Sequence, residues 1–256
     1  MFQSDLFKNK VVLVTGGGSG IGFAITKQFL QLGATVIISS RKEERLKTAV
    51  EKLSEFGNCR YVVLDIREPE QVEAVAQNIK TIEGKLDILV NNAGGQFPSA
   101  AEDISFKGWN AVINNNLNGT FYVTQTMAKH FFIPSKAGNI LNIIANIYRG
   151  FPGMAHTGAA RAGVDNLTKT LAIEWSRFNI QVNAVAPGII KSTGLEQYPP
   201  EFLKGIEDII PAKRLGTIEE VAYLTLFLCS PMAKFITGET VYIDGGQHLW
   251  GDMFKM

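Results

Sequence analysis

A glycine-rich stretch lies between two apolar segments, in an arrangement that can hold a phosphate. Residues 15–22 read TGGGSGIG; they follow a short apolar run at 11–14 and precede residues 23–30, whose apolar side chains recur at helical spacing. Free backbone N–H groups at the start of such a helix attract the negative charge of a pyrophosphate. Strand, glycines and helix together therefore predict a dinucleotide-binding site.

The individual positions of the stretch have distinct predicted roles. Gly16 allows a sharp turn, Gly20 allows the backbone to approach the pyrophosphate, and Gly22 allows the helix to pack on the strand. Ser19 and Ile21 lie between them and are expected to contact the cofactor as well. The spacing G-x-x-x-G-x-G differs by one residue from the general G-x-G-x-x-G fingerprint.

The end of the second predicted strand bears on which dinucleotide is bound. An acid about 20 residues after the glycines would hydrogen-bond the ribose 2′-hydroxyl of NAD, whereas an arginine accommodates the 2′-phosphate of NADP. This chain has Ser40, Arg41 and Lys42 there. We expect NADP(H), with Arg41 binding the phosphate through its two guanidinium nitrogens. The alternative is that Arg41 and Lys42 are solvated residues at a helix start.

Composition excludes several classes of protein. The 256 residues include 25 Lys and Arg against 24 Asp and Glu, a net charge of +1, which argues against a nucleic-acid or membrane-surface partner. Cys59 and Cys229 are far apart and have no metal or redox spacing, so we expect reduced thiols, a cytoplasmic protein and no metal site. No segment is long and apolar enough to predict a membrane span.

Strand and helix signals alternate along almost the whole chain. This alternation predicts a single-domain Rossmann fold over residues 1–256: an α/β, doubly wound parallel sheet of about seven strands with helices on both faces. Strands are predicted at 11–14, 35–39, 61–64, 86–90, 140–144, 181–186 and 240–243, and helices at 23–30, 43–56, 69–82, 107–132, 158–176 and 217–228. Residues 188–211, with Pro199 and Pro200, break the pattern and are predicted to form a substrate-covering loop with short helices.

Three motifs together resemble the short-chain dehydrogenase/reductase superfamily. They are the glycine stretch at 15–22, the sequence NNAG at 91–94 and the sequence APG at 186–188, and the likeness covers nearly the whole chain. The resemblance implies a set of cofactor contacts beside the adenine, along the dinucleotide and against the nicotinamide. These are, in that order, Asp65 and Ile66; Asn92, Ala93 and Gly94; and Pro187, Gly188 and Ile190.

The chain departs from the superfamily at its catalytic residues. Most members have a serine, a tyrosine and a lysine, where this chain has Ala145, Thr157 and Arg161; the family's asparagine is present as Asn116. A threonine hydroxyl is too weak an acid to replace a phenol, and arginine does not exchange protons, although Arg161 could hold the ribose hydroxyls of the cofactor. Ketone reduction by the usual route is therefore disfavoured.

A narrower resemblance points to conjugate reduction. Residues 92–97, 155–163 and 210–214 are similar to the peroxisomal trans-2-enoyl-CoA reductase and 2,4-dienoyl-CoA reductase branch. This similarity implies an NADPH-dependent homotetramer that reduces carbon–carbon double bonds of acyl-CoA thioesters. It also implies that Asn116 helps bind the thioester and that Asp165 relays a proton through water. Mitochondrial-type dienoyl reductases have an active-site tyrosine near the position of Tyr148.

Several of these roles have structural alternatives. Asp165 could form a helix ion pair with Arg161 four residues earlier. His156 could donate to the thioester oxygen or simply bond a neighbouring loop, and Tyr148 could be a packing aromatic. Two other functions remain open: a carbonyl reductase with Tyr148 as the acid, and an inactive NADP-binding sensor or scaffold.

Overall fold

A computed structural model describes residues 2–197 and 204–249. Nine strands were found in these two ranges, seven in a main sheet and two in a small separate one. They are β1 Val11–Thr15, β2 Thr35–Ser40, β3 Cys59–Val63, β4 Ile88–Asn91, β5 Gly138–Ile143, β6 Ile180–Pro187, β7 Ile190–Lys191, β8 Gly216–Thr217 and β9 Thr240–Ile243. The helices are α1 Gly20–Gln31, α2 Glu43–Leu53, α3 Pro69–Ile82, α4 Phe106–Ile113, α5 Gly119–Met127, α6 Ile133–Ser135, α7 Ala155–Glu174 and α8 Ile218–Cys229.

The main sheet has the strand order β3-β2-β1-β4-β5-β6-β9, and all of its pairs are parallel. The predicted single-domain, doubly wound fold is therefore confirmed. The chain order reverses between β1 and β4, and ligands of such sheets bind in the crevice beyond the carboxyl ends of the strands at that point. The sheet order alone places the functional site after β1 and β4.

Strand β1 shows why the first apolar run is a strand with two buried faces. Val12 and Val14 belong to the core on one side of the sheet, which also contains α1 and α8 residues, while Leu13 belongs to the core on the other side with α3 and α5. All three side chains are fully buried. Continuous apolar runs of this kind are typical of parallel strands covered on both faces.

The middle helical region differs from a regular helix. The prediction of one helix over 107–132 is close in extent, because helical structure runs from 106 to 135. Two π-helical segments interrupt it, at Asn114–Asn118 and Ala128–Phe132. Such segments are rare and often lie at functional sites. The first of them contains four asparagines, Asn114, Asn115, Asn116 and Asn118.

The loop predicted at 188–211 has the short helical turns that were expected and also a short strand at its start, which was not. Strand β7 pairs with β8 in parallel, and 3₁₀ turns occur at Thr193–Gln197 and Ile206–Ile209. Residues 198–203, which include Pro199 and Pro200, lie outside the described residues. No helix in the described part of the chain has the length and apolarity needed to cross a bilayer.

Candidate active site

A cavity of about 780 Å³ lies beyond the carboxyl ends of β1, β2, β4 and β5. This is within the volume that small-molecule sites usually have. The structure brings eleven of the predicted cofactor and site residues together around it. They are Gly16, Ser19, Gly20, Ile21, Arg41, Asp65, Ile66, Asn92, Ala93, Gly94 and Arg161.

The glycines at the start of α1 have the geometry that a phosphate site requires. Gly16 has a φ of +68°, which a residue with a side chain rarely adopts. A Cβ on Gly22 would lie 2.4 Å from the carbonyl oxygen of Gly16, so no larger residue fits where α1 crosses β1. The first turn of α1 contains no acidic residue, and Ser19 makes no capping bond. The backbone N–H groups at the start of α1 and the Ser19 hydroxyl are therefore available to an anion.

A cluster of hydrogen bonds fixes this glycine turn to the end of β4. The Thr15 hydroxyl donates to the Val90 carbonyl (3.4 Å) and accepts from the backbone N–H groups of Asn92 and Ala93 (3.0 Å each). The Asn92 amide donates to the carbonyl oxygens of Thr15 (3.0 Å) and Gly16 (3.2 Å). We call this set the Thr15 cluster. It holds the two chain segments that line one wall of the cavity.

The opposite end of the cavity is basic. Arg41, Lys42 and Arg45 line it. Arg45 lies in the first turn of α2 and is not among the residues predicted from the sequence. Asp65 lines the same end and forms an ion pair with Arg67. The hydrogen bond from Arg67, with a smaller contribution from Arg41, lowers the pKa of Asp65 below its usual value. Asp65 is therefore a carboxylate whose charge is balanced by neighbouring arginines.

Arg161 is a buried cation that forms no ion pair with an acid in the described part of the chain. It is 9% exposed, and its Nη1 donates to the Ile143 carbonyl oxygen (3.0 Å). Its Nε has no hydrogen-bond partner, and no described carboxylate forms an ion pair with it. Burial lowers its pKa to about 10, which still leaves it charged at neutral pH. The cavity therefore contains a fixed positive charge near the ends of β4 and β5.

The side-chain amide of Asn116 hydrogen-bonds other groups of the protein. Its amide donates to the carbonyl oxygens of Gly95 (2.7 Å) and Val112 (2.9 Å), and its oxygen accepts from the N–H of Gly95 (3.3 Å). Both amide hydrogens are used, since an asparagine has only two. Asn116 fixes the segment after β4 onto the π-helical segment, and its predicted role in binding the thioester stays a prediction.

His156 lies at the start of α7 under an aromatic ring. Its side chain is fully buried, and the ring of Phe97 contacts it edge-on with 4.5 Å between centroids. The backbone N–H of Thr157 donates to its Nδ1 (2.8 Å), so in the neutral ring the hydrogen is on Nε2. Nε2 has no partner. His156 and Thr157 are not among the described residues that line the cavity.

Tyr148 and Asp165 also lie away from the described lining of the cavity. Tyr148 is 64% exposed and contacts the rings of Tyr242 and His248. Asp165 accepts a hydrogen bond from Thr240 (2.6 Å) and forms an ion pair with Lys169. The expected alternative partner, Arg161, is therefore not the one that Asp165 contacts. The proposed catalytic roles of both residues stay predictions.

The three residues predicted to face the nicotinamide lie at the end of β6. Gly188 contacts Asp244, which occupies the space that a Cβ on Gly188 would need. Ile190 is buried in the core and lines a second, small cavity with Gly216. None of Pro187, Gly188 and Ile190 is among the described residues that line the large cavity. Their contact with a cofactor stays a prediction.

Comparison with known proteins identifies the family. A model described as Enoyl-(Acyl carrier protein) reductase matches residues 16–248. The chain is 39% identical over 248 residues to a probable 2,4-dienoyl-CoA reductase of Bacillus subtilis, covering 94% of this chain and 98% of the relative. It belongs to the short-chain dehydrogenase/reductase family. The family assignment from the three motifs is therefore confirmed.

Further relatives in the family cover more than one chemistry. The 3-oxoacyl-[acyl-carrier-protein] reductase FabG of Thermotoga maritima is 39% identical and covers 93% of this chain and 98% of its own. A solved structure, the citronellol catabolism dehydrogenase AtuB of Pseudomonas aeruginosa, is 39% identical with a TM-score of 0.88, covering 97% of this chain and 98% of that one. The chain is an oxidoreductase of this family, and the family implies a nicotinamide cofactor.

The residues of the cavity fit such a cofactor. The unoccupied N–H groups at the start of α1 and the Ser19 hydroxyl suit a pyrophosphate. Arg161 lines the same cavity, and its Nε has no partner. What the family alone leaves open is which substrate is reduced, and the charges in the cavity bear on that question.

Proposed function

We propose that the protein catalyses the NADPH-dependent reduction of a carbon–carbon double bond in an enoyl-CoA or 2,4-dienoyl-CoA thioester. The observation that carries this proposal is Arg161, a buried cation with an unpaired Nε in a cavity where no described acid balances it. A fixed positive charge of this kind favours a reaction in which negative charge develops on the substrate.

Conjugate reduction develops such a charge. Bound NADPH would supply a hydride to a carbon remote from the thioester carbonyl, and negative charge would gather on the carbonyl oxygen. Arg161 stabilises that oxygen electrostatically without giving up a proton, since a guanidinium remains protonated. We propose His156 as a second donor through Nε2, which carries a hydrogen and has no partner, although its ring is buried outside the described lining of the cavity.

The lining of the cavity also suits a reaction that needs no phenol. The described lining residues include no tyrosine, and their one acid, Asp65, is paired with Arg67 at the basic end. Reduction of a ketone requires a proton on oxygen as hydride arrives, whereas conjugate reduction finally places the proton on carbon. Water can supply that proton, with Asp165 as the proposed relay.

The basic end supports NADPH over NADH as the proposed cofactor. Arg41, Lys42 and Arg45 lie where the second strand ends, and no acid stands at Ser40 to repel a phosphate. Two guanidinium groups there would bind the 2′-phosphate through charge-assisted hydrogen bonds. We further propose a homotetramer, on the resemblance to the reductase branch, and a cytoplasmic location, on the expectation that Cys59 and Cys229 are reduced thiols.

The test follows NADPH oxidation by absorbance with three substrates side by side. We expect turnover with trans-2-hexenoyl-CoA or 2,4-hexadienoyl-CoA and none with acetoacetyl-CoA, which presents a ketone on the same carrier. Turnover of the ketone alone would contradict conjugate reduction and support the carbonyl reductase alternative. If NADPH binds by fluorescence titration but none of the three thioesters is reduced, the proposal fails and the sensor alternative gains support.

A further inference from the structure

The first π-helical segment presents two adjacent asparagines that differ in their bonding. Asn116 uses both amide hydrogens on carbonyl oxygens of the protein. Asn115 lines the cavity, and its side chain makes no hydrogen bond to any residue that the structure describes. The site therefore contains a primary amide with a free donor and a free acceptor, directly beside the residue to which the family resemblance assigns substrate binding.

The position of Asn115 follows from the backbone around it. A Cβ on Gly95 would lie 3.2 Å from the Asn115 amide nitrogen, so the amide lies close over a backbone that carries no side chain. Gly95 and Gln96 line the cavity next to it. Gly95 follows β4, which is two strands away from β2 in the sheet, so the Asn115 amide lies apart from Arg41 and Arg45 beyond the end of β2.

We infer that Asn115 binds the secondary amide of a pantetheine arm that carries the acyl group. A secondary amide offers one N–H and one carbonyl oxygen, and a primary amide side chain can accept from the first and donate to the second. A carboxylate or a phosphate would be bound better by a cation than by an amide. The thioester oxygen would accept from the Asn115 N–H but would leave the Asn115 oxygen without a donor. This inference rests on the proposed function, because it assumes a thioester substrate.

Two carriers share this chemistry. Coenzyme A and acyl carrier protein both present the acyl group on a pantetheine arm, and the comparisons include relatives named for each. Trans-2-hexenoyl-CoA and the trans-2-hexenoyl carrier protein therefore form two arms of the experiment. The wild-type kcat/KM for each shows which carrier delivers the arm that Asn115 contacts.

The test removes the amide from the protein and from the substrate in turn. Asn115→Ala is compared with wild type on trans-2-hexenoyl-CoA, on the N-acetylcysteamine thioester, which keeps the amide nearest sulfur, and on the S-propyl thioester, which has none. We expect kcat/KM to fall about three- to tenfold for the first two, since a hydrogen bond of ordinary strength is lost. The S-propyl thioester should lose less than about twofold, within the scatter expected where no bond is removed.

Asn114→Ala is the matched control. Asn114 lies in the same π-helical segment, is exposed, and accepts a hydrogen bond from Asn118 (2.7 Å) outside the cavity. It should leave kcat/KM unchanged for all three thioesters. If Asn115→Ala lowers kcat/KM equally for all three thioesters, the inference is overturned. It is also overturned if the variant binds NADPH more weakly, because Asn115 would then contact the cofactor. Wild type inactive with all of these thioesters and with 2,4-hexadienoyl-CoA would instead overturn the proposed function itself.

Discussion

Two walls of the same cavity differ in how completely their polar atoms are paired. In the Thr15 cluster the hydroxyl, the Asn92 amide and the backbone N–H groups they contact all have partners within the protein. In α7, Arg161 lines the cavity and its buried Nε has no partner, and His156, outside the described lining, has a buried Nε2 that also has none. Leaving a buried polar group unpaired costs stability. We therefore expect the Thr15 cluster to contribute mainly to stability, and the unpaired groups of α7 to contribute mainly to binding a ligand.

The largest expected effect comes from removing the unpaired cation. Arg161→Met keeps an unbranched, mainly apolar stem and loses the guanidinium and its charge, and we expect kcat to fall about a hundredfold or more, the usual cost of losing an oxyanion-stabilising donor. The melting temperature should not fall, because an apolar side chain at a site of a buried charge is often neutral or stabilising. Steady-state kinetics with saturating NADPH and a thermal melt measure both.

Arg161→Lys is the control for that prediction, since it keeps a positive charge in nearly the same place. It should retain more activity than the methionine variant. If the methionine variant keeps its kcat but melts at a lower temperature, Arg161 contributes to the stability of the fold and not to catalysis. The two walls would then not differ in the way that their hydrogen bonds indicate.

The Thr15 cluster should respond in the opposite way. Thr15→Val keeps the shape of the side chain but leaves the N–H groups of Asn92 and Ala93 without an acceptor. We expect the free energy of unfolding to fall by about 2 kcal/mol, the cost of buried donors left unpaired. Urea titration measures it, and Thr15→Ser, which keeps the hydroxyl, should be close to wild type. Equal stability of the valine variant would contradict a structural role.

This contrast also marks what the sequence could predict. Glycines after β1, the order of strand and helix signals and the family motifs predicted the fold and many of the residues that line the cavity, because local spacing determines them. The hydrogen bonds of the Thr15 cluster were not predicted. Strands β7 and β8, with two residues each, leave no periodic signal. The different bonding of Asn115 and Asn116 arises from a π-helical segment whose residues are equally compatible with a regular helix. Arg45 lines the basic end of the cavity because of the direction in which α2 runs, which the local sequence does not specify.

The unpaired imidazole at the start of α7 should have a smaller effect than Arg161. His156→Phe replaces the ring with an apolar one of similar size beneath Phe97. If Nε2 donates to the substrate oxygen, we expect kcat to fall about tenfold while the melting temperature stays the same or rises, because an unpaired polar atom is removed. A lower melting temperature with unchanged kcat would assign His156 to the packing of the loop instead.

The smallest effect is expected at the basic end, where the cavity is open to solvent and charges are screened. Arg41→Ala should weaken NADPH binding about fivefold and leave NADH binding nearly unchanged, because only NADPH carries the 2′-phosphate. Arg45→Ala should act in the same direction, which tests the residue that the sequence did not identify. Fluorescence titration with both dinucleotides measures the ratio. Equal losses for NADPH and NADH would show that the arginines contact a part common to both, and the choice of NADPH would then need another explanation.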